Sequence, residues 1–301
     1  MDKTCAFGFD TLFAELREAG YAWQPLTPER LQKLRRQAAE RPGDFDPRVL
    51  RHGLGMESGP AVSRVGDYFV PHHHWSDASA ASDFVYLGRE SLELISRLEK
   101  HHELLRGRSG LDLGSGAGAL SIALADVAGR MLGLELSEAA VNWASAAARA
   151  QGLANVRFRQ ARVGEGGADL AVTAEGGLWD FAVFNPPMAV PNPGQYRPFR
   201  DGGRLGIEIP LMFLDFARRH LRPEGDVFCL LTSPCVGGRS LVFDSAAAKR
   251  GFKSGIAGQW EVLERALLDD RFNQALYRKE GYSALGIERV ELWYVHLRKA
   301  V

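Results

Sequence analysis

Three places in the sequence combine residue types and spacings that could do chemistry. The first is the stretch LDLGSGAG, where Asp112 stands two residues ahead of Gly114, and Ser115, Gly116 and Gly118 follow. Glycines at such a turn permit a tight reversal and let a ligand approach the backbone closely. The second is Glu135, about 20 residues on at the end of the next apolar run, where a carboxylate can accept both hydroxyls of a ribose. The third is WDFAVFNPPMAVPNPG, Trp179 to Gly194, an apolar run that stops at Asn185 and continues as Pro186, Pro187 and Met188. Each proline fixes φ and lacks the N–H that a sheet ladder needs, so the chain is locked directly behind a single amide side chain.

The elements that must position these residues are legible from periodicity. RESLELISRLEKHHELL has the spacing of an amphipathic helix; GLDLGSGAG reads as strand and turn, ALSIALADVAG as helix and MLGLEL as strand. SEAAVNWASAAARAQG is a helix capped by Ser137 and stopped by Gly152, and VRFRQA and WDFAVF are strands. IPLMFLDFARRHLRPEG is a helix, DVFCLLTS a strand, and IERVELWYVHLRKA a last strand, with Trp260 in the core. This alternation predicts an α/β fold, a Rossmann-like, doubly wound and mostly parallel sheet with helices on both faces. Ligands of such sheets bind beyond the carboxyl ends of the strands, and Asp112, Glu135 and Asn185 all fall at that edge.

Residues 1–80 have a different rhythm. FDTLFAELREAGY carries apolar residues at helical spacing, and TPERLQKLRRQAAERPG has Thr27 as N-cap with Pro28 at the first helical position. Glycine- and serine-rich loops and a short hairpin follow, up to a soft boundary near Ser79 to Ser82. The expectation is a mainly helical cap or substrate-binding region over 1–80 and the α/β domain over 81–301.

The chain has 301 residues and a formal net charge of zero, which argues against holding nucleic acid chiefly by phosphate neutralisation. Its three cysteines, Cys5, Cys229 and Cys235, form no CxxC pair and are too few for a disulfide framework. The N-terminus lacks the apolar core of a secretory signal, and no stretch approaches the roughly 20 apolar residues of a membrane span. A soluble, cytoplasmic protein without membrane partners is expected.

An acid followed by G-x-G-x-G, with a second acid ending the next strand, resembles the class I S-adenosylmethionine-dependent methyltransferases over roughly Phe84 to Thr232. The resemblance implies S-adenosylmethionine as cofactor. It places Asp112 near the methionine amino group, Gly114, Ser115, Gly116 and Gly118 along the amino-acid portion, and Glu135 on the ribose. The acidic or amide residue that often contacts adenine after the third strand is replaced here by RQARVGEGG, in which Gln160 is the available substitute.

Asn-Pro-Pro after the fourth strand is similar to the amino-group methyltransferases, including enzymes that act on glutamine N5, adenine N6 and guanine N2. By that likeness, the Asn185 side-chain oxygen and the Pro186 carbonyl accept N–H bonds from an acceptor nitrogen, while Pro187 stiffens the loop. The position after the prolines is usually Tyr, Phe or Trp and here is Met188, which is flexible and non-planar. A small-molecule or amino-acid-like acceptor is therefore expected first, a protein glutamine second and RNA third. A cyclase or lyase on the same fold, releasing methylthioadenosine, is the alternative from another reaction class. Further substrate contacts are expected from His72 and His74, which share a face if the chain is extended, and from Tyr196, Arg197 and Arg204 after the proline loop. No metal is expected, because PHHHW has no Cys or Asp partner at ligand spacing.

Overall fold

The computed structural model describes residues 61–73, 84–164, 166–191, 197–243, 259–268 and 286–300. Expectations that rest on Thr27, His74 or Tyr196 lie outside these residues. Two compact units divide the chain, Met1–Gly107 with Ser115–Ala161, and Arg108–Gly114 with Arg162–Val301.

In the first unit, β1 (Ala61–Val65) and β2 (Tyr68–His72) form an antiparallel hairpin turning at Gly66, whose φ is +60°. The hairpin is pinned by its backbone. Phe69 N–H donates to Gln151 Oε1 at 2.7 Å, and Gln151 Nε2 donates back to the Phe69 carbonyl at 2.9 Å. His73 packs between Phe84 and Trp143, with ring centroids 5.5 and 4.6 Å away. α1 (Arg89–Leu98) buries Leu92, Leu94, Ile95 and Leu98, the face its spacing marked out. It continues through a tight turn at Glu99–His101 into α2 (His102–Leu105).

The short α3 (Ala119–Ala123) precedes a βαβ unit of β4 (Arg130–Glu135), α4 (Glu138–Ala150) and β5 (Val156–Gln160). β4 and β5 pair in parallel, with Glu135 opposite Gln160. α4 begins as its cap predicts, with Ser137 Oγ accepting the Ala140 N–H, and ends ahead of Gly152 at φ +71°.

The second unit holds β3 (Ser109–Leu113), α5 (Gly166–Ala174), β6 (Trp179–Phe184), α6 (Glu208–His220) and β7 (Leu221–Val236). β8 (Arg239–Ser240), β9 (Trp260–Leu268) and β10 (Arg289–Lys299) complete it. The strand order is β3-β6-β7-β10-β9, with β8 beside β7; β3, β6 and β7 run parallel, and β8, β9 and β10 add antiparallel pairs. The fold is thus mixed α/β with a mostly parallel, Rossmann-like sheet. Phe181, Ala182, Val183, Phe184, Val227, Phe228, Cys229 and Leu230 are fully buried, which is why these strands read as unbroken apolar runs.

Three boundaries differ from the sequence reading. The helix expected through Gly225 ends at His220, because Pro223 lacks an N–H and disfavours helix at Arg222. The nine residues Gly166–Ala174 form a helix in a segment to which the reading gave no element, and Trp260 opens a strand that the reading did not mark as one.

At the amino ends of these strands a charged cluster ties four elements together. Asp226, only 1% exposed, accepts from Arg108 at 2.8 Å and from Arg298 at 3.0 Å, and its other near neighbour is His296 Nε2 at 3.0 Å. Arg108 also donates to the Asp180 carbonyl, and the Asp180 carboxylate accepts from both the N–H and the hydroxyl of Ser109. Burial pushes the Asp226 carboxyl up, but the hydrogen bonds from His296, Arg108 and Arg298 outweigh it and hold it at about 2. A depressed folded pKa means that the ionised form stabilises the fold above the ordinary value of about 4. That stability is lost as pH falls toward about 2, and amounts to roughly 2–3 kcal/mol. Asp226→Asn is expected to cost about 3 kcal/mol near neutral pH, because it strands partly buried cations around a buried site. The gap between the two proteins should narrow as pH falls from about 4 to about 2, and urea titrations across that range check it.

Candidate functional site

The first unit holds the Glu135 carboxylate and most of the glycine turn. Glu135 Oε2 accepts the Gly116 N–H at 2.8 Å, and Oε1 accepts the Ser137 N–H at 2.9 Å. One carboxylate thereby braces the turn and opens α4. Each oxygen retains a lone pair, so the same group can still accept from hydroxyls. The Ser115 N–H donates to the Leu134 carbonyl at 3.0 Å, and the Gly118 N–H to the Ser115 carbonyl at 2.8 Å.

The turn is close-packed where it has glycine. At φ +79°, a Cβ on Gly118 would lie 2.6 Å from the Phe158 ring and 2.9 Å from Ala144; on Gly116, at φ +52°, it would lie 3.1 Å from the Tyr86 carbonyl. Ser115 Oγ is buried and makes no hydrogen bond, a polar atom left for a ligand to satisfy. Gln160 donates through Nε2 to the Leu136 carbonyl at 3.1 Å, so its amide lies beside the end of β4.

The second unit holds Asp112, Gly114 and the Asn-Pro-Pro tip. Asp112 is fully buried on β3, in register with Val183 of β6. Asn185 therefore stands two residues beyond that level on the neighbouring strand, about 8 Å away by strand geometry. Gly114, at φ +69°, lies under the Phe213 ring, 3.0 Å from where a Cβ would be. Asn185, Pro187 and Met188 are half-buried and Pro186 is buried.

Behind the prolines the chain is clamped by a segment the sequence reading singled out mainly for its arginines. The N–H groups of Met188 and Ala189 both donate to the Arg200 carbonyl, at 3.0 and 2.8 Å, and the Ala189 carbonyl accepts from Gly202 at 2.7 Å. Asp201, 0% exposed, accepts the Arg197 N–H at 2.6 Å and pairs with the Arg200 guanidinium at 3.4 Å. Thr232 Oγ1 lies 3.3 Å from both the Met188 and the Gly206 carbonyls. A Cβ on Gly202 would come within 2.5 Å of the Pro187 carbonyl oxygen, and one on Gly206, at φ +74°, would collide with the Met188 carbonyl. Asp201 and Thr232 were missed by sequence reasoning. The available signal was the Asp-Gly-Gly run, where Gly202 permits a close backbone approach, Gly203 takes a positive φ and the acid holds the loop.

The expected substrate contacts differ in burial. Arg197 is half-buried, with its backbone bound to Asp201, and Arg204 is exposed. His72 is 3% exposed inside the hairpin, with Nε2 2.7 Å from Ser63 Oγ and Nδ1 2.8 Å from the His73 carbonyl. Among the described residues, no group of His, Cys, Asp and Glu could hold a metal ion, and no helix is long and apolar enough to cross a membrane.

Comparison with curated proteins gives no match. Solved structures are similar at low identity. Trm5b from Pyrococcus abyssi shares 13% identity over 82% of this chain and 58% of its own, with a TM-score of 0.49. A structure described as a putative sarcosine dimethylglycine methyltransferase, from Galdieria sulphuraria, shares 14% over 70% and 86%, with a TM-score of 0.44. The [4+2]-cyclase SpnF shares 16% over 76% and 87%, with a TM-score of 0.46. Scores this low carry no weight for activity.

The clamp itself is open to a direct test. Gly206→Ala should destabilise the protein by about 2 kcal/mol or more, through both φ and collision. Gly177→Ala, at φ +85° with open space around it, should cost only about 1 kcal/mol. Denaturant midpoints of the two variants check the difference.

Residues 105–194, which span β3 to the tip of β6, match a family model described as a methyltransferase domain, and that match implies S-adenosylmethionine as the cofactor.

Proposed function

We propose that this chain is an S-adenosylmethionine-dependent methyltransferase acting on a nitrogen of a small-molecule or amino-acid-like acceptor, in the cytoplasm. The observation that carries the reading is the clamped Asn185-Pro186-Pro187 tip, an amide at a strand end whose following backbone is fixed by Arg200, Gly202 and Asp201. The site residues fit the cofactor. The Ser115 hydroxyl is buried without a partner, and both Glu135 oxygens keep accepting capacity. Glu135 would hold the ribose hydroxyls, Asp112 the amino group, and Gln160 would serve the adenine side.

Bound cofactor supplies an electrophilic methyl on a sulfonium. The rest falls to the chain's own residues. Amide-like and aromatic nitrogens have delocalised lone pairs and are poor nucleophiles. When the Asn185 oxygen and the Pro186 carbonyl accept their N–H bonds, electron density returns to nitrogen and its lone pair is aimed. These acceptors are fixed before the acceptor arrives, so little reorganisation is needed during reaction. Neither a metal nor a strong base is required in this scheme. Met188, in place of a planar ring, favours acceptors that need no stacking, which ranks small molecules ahead of a protein glutamine and RNA.

Asn185→Ala should leave S-adenosylhomocysteine affinity unchanged while turnover on a metabolite extract, read as S-adenosylhomocysteine release, falls by about two orders of magnitude. Full activity in that variant would exclude the amide's role. Glu135→Ala should weaken S-adenosylhomocysteine binding by about 1.5–3 kcal/mol in calorimetry, the scale of lost charge-assisted hydrogen bonds. Unchanged affinity would remove the ribose assignment.

A further inference from the structure

β9 is the last strand of the second unit's sheet, and its register puts Leu267 opposite Trp293, Arg265 opposite Val295, and, past a bulge, Val262 opposite Leu297. Directly opposed residues share a face, so Val262, Arg265, Leu267 and Trp293 lie on one side of the sheet. The Arg265 guanidinium carbon sits 5.3 Å from the ring centroid of Trp293 and 5.3 Å from that of Phe243. The two rings meet edge to face, 5.4 Å apart at 69°, so the guanidinium lies in the corner they form. Arg265 is nonetheless exposed, and Val262 and Leu267 beside it are 41% and 52% exposed.

Charge on this face does not balance. Glu291 is engaged by Arg289 at 2.7 Å and by the Trp293 indole N–H at 3.2 Å. Glu264, next to Arg265 in sequence, is in register with His296 and belongs to the opposite face. Among the described residues, no carboxylate pairs with Arg265. A guanidinium resting in the corner of two rings still has N–H donors to offer a planar or tetrahedral oxyanion.

We propose that Phe243, Arg265 and Trp293 form a binding site for the oxyanion of a small molecule, a carboxylate or phosphate monoester, whose apolar body lies along Val262 and Leu267. The site is separate from the strand tip. Arg265 is level with Phe184 through Val295 and Cys229, three strand spacings or about 14 Å away. It stands whether or not Asn185 orients a nitrogen.

Calorimetric titration of the full chain without cofactor, using phenylbutyrate, phenethyl phosphate and phenylbutanol, tests it. The expected result is millimolar or tighter binding of at least one anion, with the neutral alcohol about tenfold weaker or more. Arg265→Met should lose that preference, with circular dichroism unchanged, and Arg265→Lys should keep part of it. The tighter of the two anions identifies the source of the oxyanion. Equal binding of alcohol and anions, an Arg265→Met variant that binds like wild type, or no anion binding at all would each overturn the proposal. Arg265 would then simply cover two aromatic rings.

Discussion

One carbonyl oxygen, that of Arg200, accepts hydrogen bonds from two successive amides, Met188 and Ala189, and the geometry of the strand tip depends on it. Pro186 and Pro187 bring no N–H of their own, so neither donates a hydrogen bond where the tip turns. The residues just after them are held instead. The 197–206 segment does this in layers: buried Asp201 fixes the Arg197 and Arg200 end, Gly202 reaches the Ala189 carbonyl, and Gly206 packs against the Met188 carbonyl. Both glycines are needed because a Cβ would strike backbone rather than a yielding side chain.

The second unit's sheet separates two kinds of polar chemistry by strand end. At the amino ends, Arg108, Asp180, Asp226, His296 and Arg298 compensate one another and hold the strands in register. At the carboxyl ends stand Asp112, fully buried on β3, and Asn185, half-buried at the tip of β6. Between them lies an apolar layer of fully buried strand residues that admits no slippage without exposing polar groups.

The strand WDFAVF was legible to the residue, and the helix after Ser137 began where its cap said, because an apolar run ending in prolines and a capped periodic segment are local signals. Gly114, Gly116 and Gly118, read as permitting a tight turn, all have positive φ. What the sequence hid was non-local. Glu135 reaches back to the Gly116 N–H, 19 residues earlier, and this depends on β4 ending level with the turn. Thr232 reaches a loop 44 residues upstream, and Asp226 gathers partners from both ends of the unit. Arg197 and Arg204 looked alike in sequence, but only the first has its backbone drawn in by Asp201. The edge strand β9 escaped notice because its solvent-facing residues mix Val, Leu, Glu and Arg and blur the two-residue period.

The central claim is that Asn185 presents a nitrogen to a methyl group. Supplying S-adenosylmethionine with a trideuteriomethyl group, together with a metabolite extract, and locating the label by tandem mass spectrometry tests it most directly. The account predicts S-adenosylhomocysteine as the nucleoside product and the label on a nitrogen of the methylated molecule. Label on carbon or oxygen, or methylthioadenosine as the released nucleoside, would contradict it.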